Sequence, residues 1–302
     1  MIEAEFMAQA EPLRRELLAH CYRLSGSVQD AEDLVQETML RGWRSYAGFR
    51  GEASVRAWLY RIATNAFLSG TRRQRHLPSD LGPPTSDISL EMVLDGESAW
   101  VEPLPDALIA SDADPAASVL ERDQLRLALT ASLQRLAPRQ RSALLLREAL
   151  GFSAAEIGDA LGVTVAAAKS LLQRARVSLD VTEGQLHDPD EPIARDLLAT
   201  YMRAFETSDI RLLERTLHAD AMLEMTPART WFDGRATCLP YLATVIGKPG
   251  EWSMRATRAN GQPAVVSYRY SEPFALVVLG LREGALARIS LFGDRAVLAR
   301  FV

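Results

Sequence analysis

The sequence of 302 residues is poor in the features that mark secreted, membrane-spanning and metal-binding proteins. Its two cysteines, Cys21 and Cys238, lie far apart and fit neither a disulfide framework nor a metal-ligand spacing. No stretch approaches the roughly 18 uninterrupted apolar residues that a membrane-spanning helix needs. The first 15 residues place no basic stretch before an apolar one, which argues against a secretory signal. We therefore expect a cytoplasmic protein with no membrane contact, metal ion or cofactor.

The sequence does contain ample apolar material, and its charges are arranged in blocks. Hydrophobic residues make up 48% and charged residues 24%, which suits two or three soluble domains with a core in each. The net charge of −5 hides an acidic segment, 1–40, and a basic segment, 41–78, with 8 basic and 1 acidic residue. Residues 79–118 hold 9 acidic and no basic residues, whereas 119–181 are mildly basic. Such alternation indicates separate surfaces for different partners.

Hydrophobic periodicity and proline content divide the chain into five segments. Apolar residues recur at helical spacing in the first and third segments, and the six prolines between residues 78 and 118 favour an extended linker. Helices and then alternating strands around an Asn260-Gly261 hairpin turn indicate an α+β domain at the end. The predicted segments are a helical domain at 5–78, an acidic linker at 79–118, a helical domain at 119–181, a hinge at 182–191 and the α+β domain at 192–302.

The most specific local pattern is a helix-turn-helix between Ser153 and Leu179. Ser153 and Glu156 form a capping box, Gly162 ends the short first helix, and Thr164 can cap the second. In this motif the second helix enters the major groove of DNA, and its exposed side chains contact phosphates and base edges. The candidate DNA contacts are Thr164, Lys169, Ser170, Gln173 and Arg174. A helical hairpin with a solvated basic face is the alternative.

A second pattern lies on the helix that begins near Gln29. Asp30, Asp33 and Glu37 share one face at spacings of three and four residues, with Gln36 beside them. The alternative is a solvated acidic face with an internal Glu37–Arg41 ion pair. Acid–base catalysis by these carboxylates is a weaker hypothesis, because no histidine or metal ligand accompanies them.

The third pattern is a basic and aromatic segment between Arg50 and His76. Arginine neutralises phosphate and aromatic rings stack on unpaired bases, so this composition suits single-stranded or melting DNA. Burial in the core is an alternative for Trp58. The candidate contacts are Trp58, Tyr60, Arg61, Asn65, Arg72 and Arg73.

Together these patterns resemble a bacterial RNA polymerase sigma factor of the extracytoplasmic-function (ECF) type. The resemblance covers residues 8–181. The motifs that carry it are Asp30-Ala-Glu-Asp-Leu-Val-Gln-Glu37, Phe49-Arg-Gly-Glu, Ala57-Trp-Leu-Tyr-Arg-Ile-Ala-Thr-Asn65, Leu136-Ala-Pro-Arg-Gln-Arg141 and Glu156-Ile-Gly-Asp-Ala-Leu-Gly162.

The resemblance implies two sigma domains, which bind core polymerase at its β′ clamp and β flap and recognise promoter DNA. The polymerase contacts would be Asp30, Asp33, Gln36, Glu37 and Arg41. The basic and aromatic helix would open the −10 element, and the helix-turn-helix would read the −35 element. The acidic linker would occupy a positively charged channel, or it is a solvated tether. Leu171 departs from the family pattern, which has arginine there, so one phosphate contact is in doubt.

The last domain resembles the cone-shaped SnoaL-like fold, on the order of its helices and strands and on the turn Trp231-Phe-Asp-Gly-Arg235. A ligand pocket there would be lined by His218, Glu224, Trp231 and Tyr268. Enzymes and binding modules share this fold, so the fold does not establish catalysis. We expect a regulatory domain, open to a small molecule or to an intramolecular contact, and not an enzyme.

The leading hypothesis is therefore a multidomain transcription initiation factor with two all-α sigma domains and an α+β SnoaL-like domain. One alternative is a ligand-gated helix-turn-helix regulator that acts without polymerase, which leaves the acidic helix unexplained. The other is a SnoaL-like enzyme.

Overall fold

The computed structural model divides the chain into two compact units. The N-terminal unit joins residues 1–75 to 107–181, and the C-terminal unit joins 76–106 to 182–302. The structure describes residues 2–51, 53–70, 73–89, 94–109, 125–179 and 192–302. Within those ranges, none of the helices combines the length and the hydropathy that a transmembrane span requires.

The N-terminal unit begins with four helices. They are α1 (Ile2–Ala10), α2 (Arg14–Ser25), α3 (Val28–Ser45) and α4 (Val55–Ser69). Serine side chains cap α3 and α4, where Ser27 accepts from the Asp30 amide and Ser54 from the Ala57 amide. Gly42 lets α3 approach its neighbours, since an added Cβ would lie 3.0 Å from the rings and methyls of Phe6 and Leu59. The apolar side of α3, which the hydrophobic periodicity predicts, therefore packs against the other helices and completes the core of these four helices.

Among the described residues, four more α-helices follow in the N-terminal unit: α5 (Leu127–Arg135), α6 (Pro138–Leu150), α7 (Ala154–Leu161) and α8 (Val165–Ser178). Pro138 occupies the first turn of α6, where its missing amide hydrogen costs no hydrogen bond. Gly151 ends α6 in the left-handed conformation, with φ of 65°. Helices α6, α7 and α8 pack on one another.

The two helical halves of this unit are joined by a buried polar contact. Arg141 on α6 is 5% exposed, and its guanidinium donates to the carbonyl of Leu24 and to the carbonyl of Gln134, at 2.9 Å for the latter. Gln134 in turn donates to the Arg23 carbonyl at 3.2 Å, and Arg23 forms an ion pair with Glu148 at 2.6 Å. Burial lowers the pKa of Arg141 to about 10. Carbonyl oxygens therefore accept from both terminal nitrogens of a guanidinium that has no carboxylate partner among these contacts.

The C-terminal unit combines helices with a six-stranded sheet. Its helices are α9 (Pro192–Glu206), α10 (Ile210–Thr216), α11 (Arg235–Val245) and the short α12 (Arg295–Leu298). The large sheet contains β3 (Leu217–Thr226), β4 (Trp231–Asp233), β5 (Trp252–Ala259), β6 (Gln262–Arg269), β7 (Glu272–Arg282) and β8 (Ala285–Phe292). Its order is β4-β3-β8-β7-β6-β5, and β3 and β8 are parallel while the other neighbours are antiparallel.

The main core of this unit contains side chains from α9, α10, α11 and the sheet. Aromatic rings fill much of it: Phe205 lies 5.1 Å from Tyr201 and 5.9 Å from Trp252 between ring centroids. Cys238 is buried in the same core, where desolvation raises the pKa of its thiol to about 11. Asn260 and Gly261 both have positive φ, at 57° and 66°, as a two-residue hairpin turn between β5 and β6 requires.

The acidic linker differs from the sequence-based expectation. We predicted an extended linker at 79–118, but the described residues of 76–106 belong to the compact C-terminal unit. Two short strands, β1 (Arg75–His76) and β2 (Ala99–Trp100), pair within this stretch. The sequence of this segment shows only that it lacks basic residues and helical periodicity. The residues that order the segment could not be predicted from it, because they are more than 100 residues away along the chain.

Candidate nucleic-acid interface

The helix-turn-helix is built by local hydrogen bonds that the sequence predicted. The Ser153 amide donates to Glu156 at 2.7 Å, and the Glu156 amide donates to Ser153 Oγ at 3.2 Å. These hydrogen bonds lower the pKa of Glu156. Gly162 takes φ of 64°, and Thr164 caps α8 by accepting from the Ala167 amide. An added Cβ on Gly158 would lie 2.8 Å from the Val163 carbonyl, so the turn also requires glycine there.

Helix α8 separates a buried seam from an exposed face. The seam consists of Ala168, Leu171, Leu172 and Ala175. Leu171, where the family pattern has arginine, is 9% exposed and belongs to this seam rather than to the exposed face. All five predicted −35 contacts are exposed, namely Thr164, Lys169, Ser170, Gln173 and Arg174. The structure therefore gathers one basic and polar face directly after the turn.

Helix α4 presents a less uniform surface. Asn65 and Arg73 are exposed, whereas Arg61 is half-buried. Trp58 is also half-buried and packs against Phe49, with 4.9 Å between ring centroids. Arg72 lies outside the described residues.

Tyr60 is the one predicted −10 contact that this arrangement contradicts. It is 2% exposed, and its hydroxyl donates to Glu16 Oε1 at 2.5 Å. Its ring lies 4.5 Å from that of His20, and Arg56 sits over its face. Burial and the Glu16 carboxylate raise the pKa of Tyr60 far above its ordinary range. The side chain therefore holds α4 on α2 and cannot stack on a base in this structure.

The acidic face of α3 forms as predicted, although its carboxylates have local partners. Asp30 pairs with Arg75 at 3.0 Å, and Glu37 pairs with Arg41 at 2.6 Å. Asp33 is exposed and accepts from Gln29 at 3.2 Å. The exposed Glu37–Arg41 pair contributes only about 0–1 kcal/mol, so it leaves both side chains able to exchange partners, whereas the Asp30–Arg75 pair is partly buried. Gln36 is exposed on the same helix.

An apolar groove of about 330 Å³ lies beside this acidic face. The groove is lined by Glu3, Phe6, Met7, Arg14, Gln36, Met39, Leu40 and Trp43. Trp43 follows the helical spacing of the buried residues on α3, but its exposed fraction is 44% and the residue lines this groove. Hydrophobic periodicity alone could not distinguish a residue at the edge of the apolar side of α3, such as Trp43, from a residue at its buried centre.

Comparisons with known proteins bear on all three faces. The model of Sigma-70 region 2 matches residues 10–77, and that of Sigma-70, region 4 matches 126–179. The ECF RNA polymerase sigma factor SigG of Mycobacterium tuberculosis H37Rv is 44% identical over 98% of this chain and 83% of its own length. The chain belongs to the ECF family of RNA polymerase sigma factors. It therefore binds core RNA polymerase and promoter DNA and directs transcription initiation.

The fold of this ECF sigma factor extends the likeness through the C-terminal unit. The crystal structure of M. tuberculosis SigJ matches 97% of this chain and 98% of its own, with a TM-score of 0.65 at 22% identity. The two helical sigma domains and the α+β SnoaL-like domain are thus confirmed as the fold class. Neither alternative function is favoured by these relatives, which are named as sigma factors.

The structure does not assemble the pocket predicted in the SnoaL-like domain of this sigma factor. Glu224 and Trp231 are paired across β3 and β4, where Glu224 is 1% exposed and contacts Arg288 at 3.1 Å. His218 lies near Arg282, 3.0 Å away, at the other end of β3. Tyr268 is on β6, three strands away from β3 in the sheet order. The four side chains therefore do not converge on one cavity.

Sequence reasoning missed the residues that join sigma regions 2 and 4. Arg141 appeared only as part of a family motif, and Gln134 and Glu148 were not considered. The burial of Arg141 could have been suspected from its position, because it is followed on the same helix by the mostly apolar residues Ser142 to Leu146, all of which are buried. A charged residue inside such a stretch must find internal partners.

Proposed function

We propose that the acidic face of α3 is the surface that binds the β′ clamp helices of core polymerase. Asp30, Asp33, Gln36, Glu37 and Arg41 would make the contact. The observation that supports this most is the division of α3, whose apolar stripe is buried while its acidic side chains reach solvent. Polar side chains displayed in this way suit charge-complementary recognition, which sets the association rate and the orientation of the partners.

Promoter recognition is divided between α4 and α8 in this proposal. Arg61, Asn65, Arg72 and Arg73 contact the −10 element, and Trp58 supplies the ring that can stack on an unpaired base. Tyr60 is left out because it is buried. Lys169 and Arg174 contact phosphates of the −35 element, while Ser170 and Gln173 reach base edges and Thr164 caps the helix. The β flap is the polymerase surface proposed for region 4.

The SnoaL-like domain acts in this proposal as a regulatory module and not as an enzyme. Its one fully buried carboxylate, among the described residues of β3, is that of Glu224. That carboxylate accepts from Arg288, Ser290 and the Ser79 amide, so internal partners already satisfy it. A general acid or base needs access to a substrate proton, which this arrangement does not offer.

Run-off transcription with purified core polymerase tests the proposal. Wild-type protein should give a promoter-dependent product that core polymerase alone does not give. Asp33→Lys should reduce that product and weaken holoenzyme assembly, because it reverses an exposed charge on the proposed polymerase face. Glu214→Lys on α10 is the matched control, since Glu214 is also exposed but lies in the other unit. Equal loss in both variants, or in neither, would contradict the assignment of the α3 face.

A mobility-shift experiment addresses the alternative regulator. The sigma-factor assignment predicts tight promoter binding only when core polymerase is present. Binding of duplex promoter by the isolated chain with the same affinity would instead support a regulator that acts alone.

A further inference from the structure

In the C-terminal unit, the chain that begins at residue 76 is held by hydrogen bonds from residues of the sheet to its backbone. Glu224 Oε1 accepts from the Ser79 amide at 3.1 Å. Trp231 Nε1 donates to the Gly82 carbonyl at 2.8 Å, and the Trp231 carbonyl accepts from the Thr85 amide at 2.9 Å. Glu224 and Trp231 therefore hold a segment whose only complete helical turn, among its described residues, is the short 3-10 turn Pro78–Asp80.

A second contact holds the middle of the segment through charge. The Asp95 carboxylate accepts from Ser98 Oγ at 2.7 Å and from the guanidinium of Arg229. The Asp95 amide donates to the Pro227 carbonyl at 2.7 Å. The Asp95 side chain is 6% exposed, and the Ser98 and Arg229 hydrogen bonds hold its pKa well below the ordinary range.

A third contact lies at the hairpin between β5 and β6. Asn260 is fully buried, and its side-chain Oδ1 accepts from the Leu104 amide at 2.8 Å. The backbone amide of Asn260 donates to the Leu104 carbonyl at 2.9 Å. Asp106 accepts from the Gly261 amide at 2.8 Å and pairs with Arg258 at 3.2 Å. A buried asparagine that satisfies both backbone groups of one residue is a built peptide-binding contact.

The held segment is closed on itself. The Val101 amide donates to the His76 carbonyl at 3.0 Å, as β1 and β2 pair. Twenty-five residues of chain therefore return to within one hydrogen bond of their starting point. Extended, the same 25 residues could span about 85 Å, at roughly 3.4 Å per residue.

The difference between the closed and the extended length of this segment is important because the segment connects the two domains proposed to bind DNA. Helices α4 and α8 belong to one compact unit of two 75-residue segments, which is roughly 40 Å across for a chain of that size. Promoter elements centred at −10 and −35 are about 25 base pairs apart, or roughly 85 Å along B-form DNA. The compact unit cannot reach both elements at once, so regions 2 and 4 must separate on the linker.

We propose that the SnoaL-like domain controls the reach of this sigma factor by binding residues 76–89 and 94–106 as the two ends of a closed loop. The ligand of the domain is then a segment of its own chain, read through backbone amides, backbone carbonyls and the carboxylates of Asp95 and Asp106. Release of the loop lets regions 2 and 4 move apart onto a promoter. The proposal rests on the assignment of α4 and α8 to the two promoter elements.

Two variants of the full-length chain weaken the loop contacts. Arg229→Ala removes the guanidinium from Asp95, and Trp231→Phe removes one donor while keeping an aromatic ring in place. Arg211→Ala on α10 is the control, because Arg211 is an exposed arginine of the same unit. Thermal unfolding of each variant verifies that the domain is still folded.

Hydrogen exchange measures whether the loop is held, with no polymerase present. The amides of Ser79, Thr85, Asp95 and Leu104 should exchange about tenfold faster in Arg229→Ala, as loss of one charge-assisted hydrogen bond predicts. Trp231→Phe should raise exchange at Ser79 and Thr85 most, and Arg211→Ala should leave all four unchanged. Unchanged exchange in both loop variants would show that these contacts do not hold the loop.

Transcription on promoters with different spacers measures whether holding the loop limits reach. Both loop variants should give several-fold more run-off product than wild type, with the largest gain when the spacer is lengthened by a few base pairs. Faster exchange together with wild-type output on every spacer, or with reduced output, would overturn the proposal. If wild type gave no promoter-dependent product, the sigma-factor assignment of the sites would fail, whereas the exchange result would still report on the loop.

Discussion

The two helices proposed to contact DNA, α4 and α8, divide their surfaces in different ways. Helix α8 has four buried residues on one side, and every proposed contact on the other side is exposed. Helix α4 packs against α2, α3 and α6, and the residues on it that we predicted to contact DNA range from buried Tyr60 to exposed Asn65. A helix with one packed side shows its function in the sequence pattern, whereas a helix packed on several sides mixes core and contact residues.

The largest expected effect would come from Tyr60. Tyr60→Ala should lower the free energy of unfolding by about 3–5 kcal/mol, because it leaves a cavity between α2 and α4 and removes one of the hydrogen bonds to Glu16. Tyr60→Phe should cost only about 1 kcal/mol. Gln173→Ala on α8 is the contrast and should stay within about 0.5 kcal/mol of wild type. Denaturant unfolding measures all three, and a stable Tyr60→Ala protein that fails in transcription would return Tyr60 to the DNA contacts.

A pH dependence follows from His20, which packs under α4. Its Nε2 lies 3.1 Å from Thr64 Oγ1, and burial together with Arg23 and Arg56 lowers its pKa from 6.5 to about 3. Below pH 6.5 the unfolded chain therefore binds a proton at His20, whereas His20 in the folded chain stays neutral until the pH approaches 3. The contribution of His20 to stability is present above pH 6.5 and is lost as the pH falls, by up to about 1.4 kcal/mol per pH unit.

The variant His20→Gln isolates this contribution. Between pH 7 and pH 5, the free energy of unfolding of wild type should fall more steeply than that of His20→Gln. Gln173→Ala, which changes an exposed side chain that carries no titratable group, should keep the wild-type slope. Parallel curves for wild type and His20→Gln would mean that His20 is not held neutral in the fold.

Gly158 tests how strictly the turn before α8 is built. Gly158→Ala places a Cβ 2.8 Å from the Val163 carbonyl, so the turn must shift, at a cost of about 1–3 kcal/mol in the free energy of unfolding. Transcription should fall as well, because the shift moves the N-terminus of α8. Gly48→Ala is the control, since its Cβ would meet no atom within 4 Å. A fully active and stable Gly158→Ala protein would show that the turn tolerates displacement.

The smallest expected effect is the loss of one phosphate contact on α8. Lys169→Ala should weaken holoenzyme binding to all promoters alike and reduce the slope of log affinity against log salt by about one. Stability should not change, because Lys169 is exposed. A salt titration of promoter binding measures the slope, with Arg211→Ala as the control. A loss confined to one promoter sequence would instead assign Lys169 to base reading.

Much of the candidate site could be predicted because it depends on local chemistry. The capping box of Ser153 and Glu156, the left-handed Gly162 and the Asn260-Gly261 hairpin are fixed by residues within a few positions of each other. Arg141 and Tyr60 could not be placed in the same way. Their partners, Leu24 for Arg141 and Glu16 for Tyr60, are 117 and 44 residues away, and composition gives no information about such pairs.

The sequence by itself determined the helices, the helix-turn-helix, the acidic face of α3 and the α+β character of the last domain. These features follow from periodicity, capping and turn residues, which act over one or two helical turns. Only the tertiary structure decided that an acidic segment without periodicity becomes a closed loop on the C-terminal unit. The physical reason is that its order comes from backbone groups, which every residue carries, meeting Glu224, Trp231 and Asn260 from the other end of the chain.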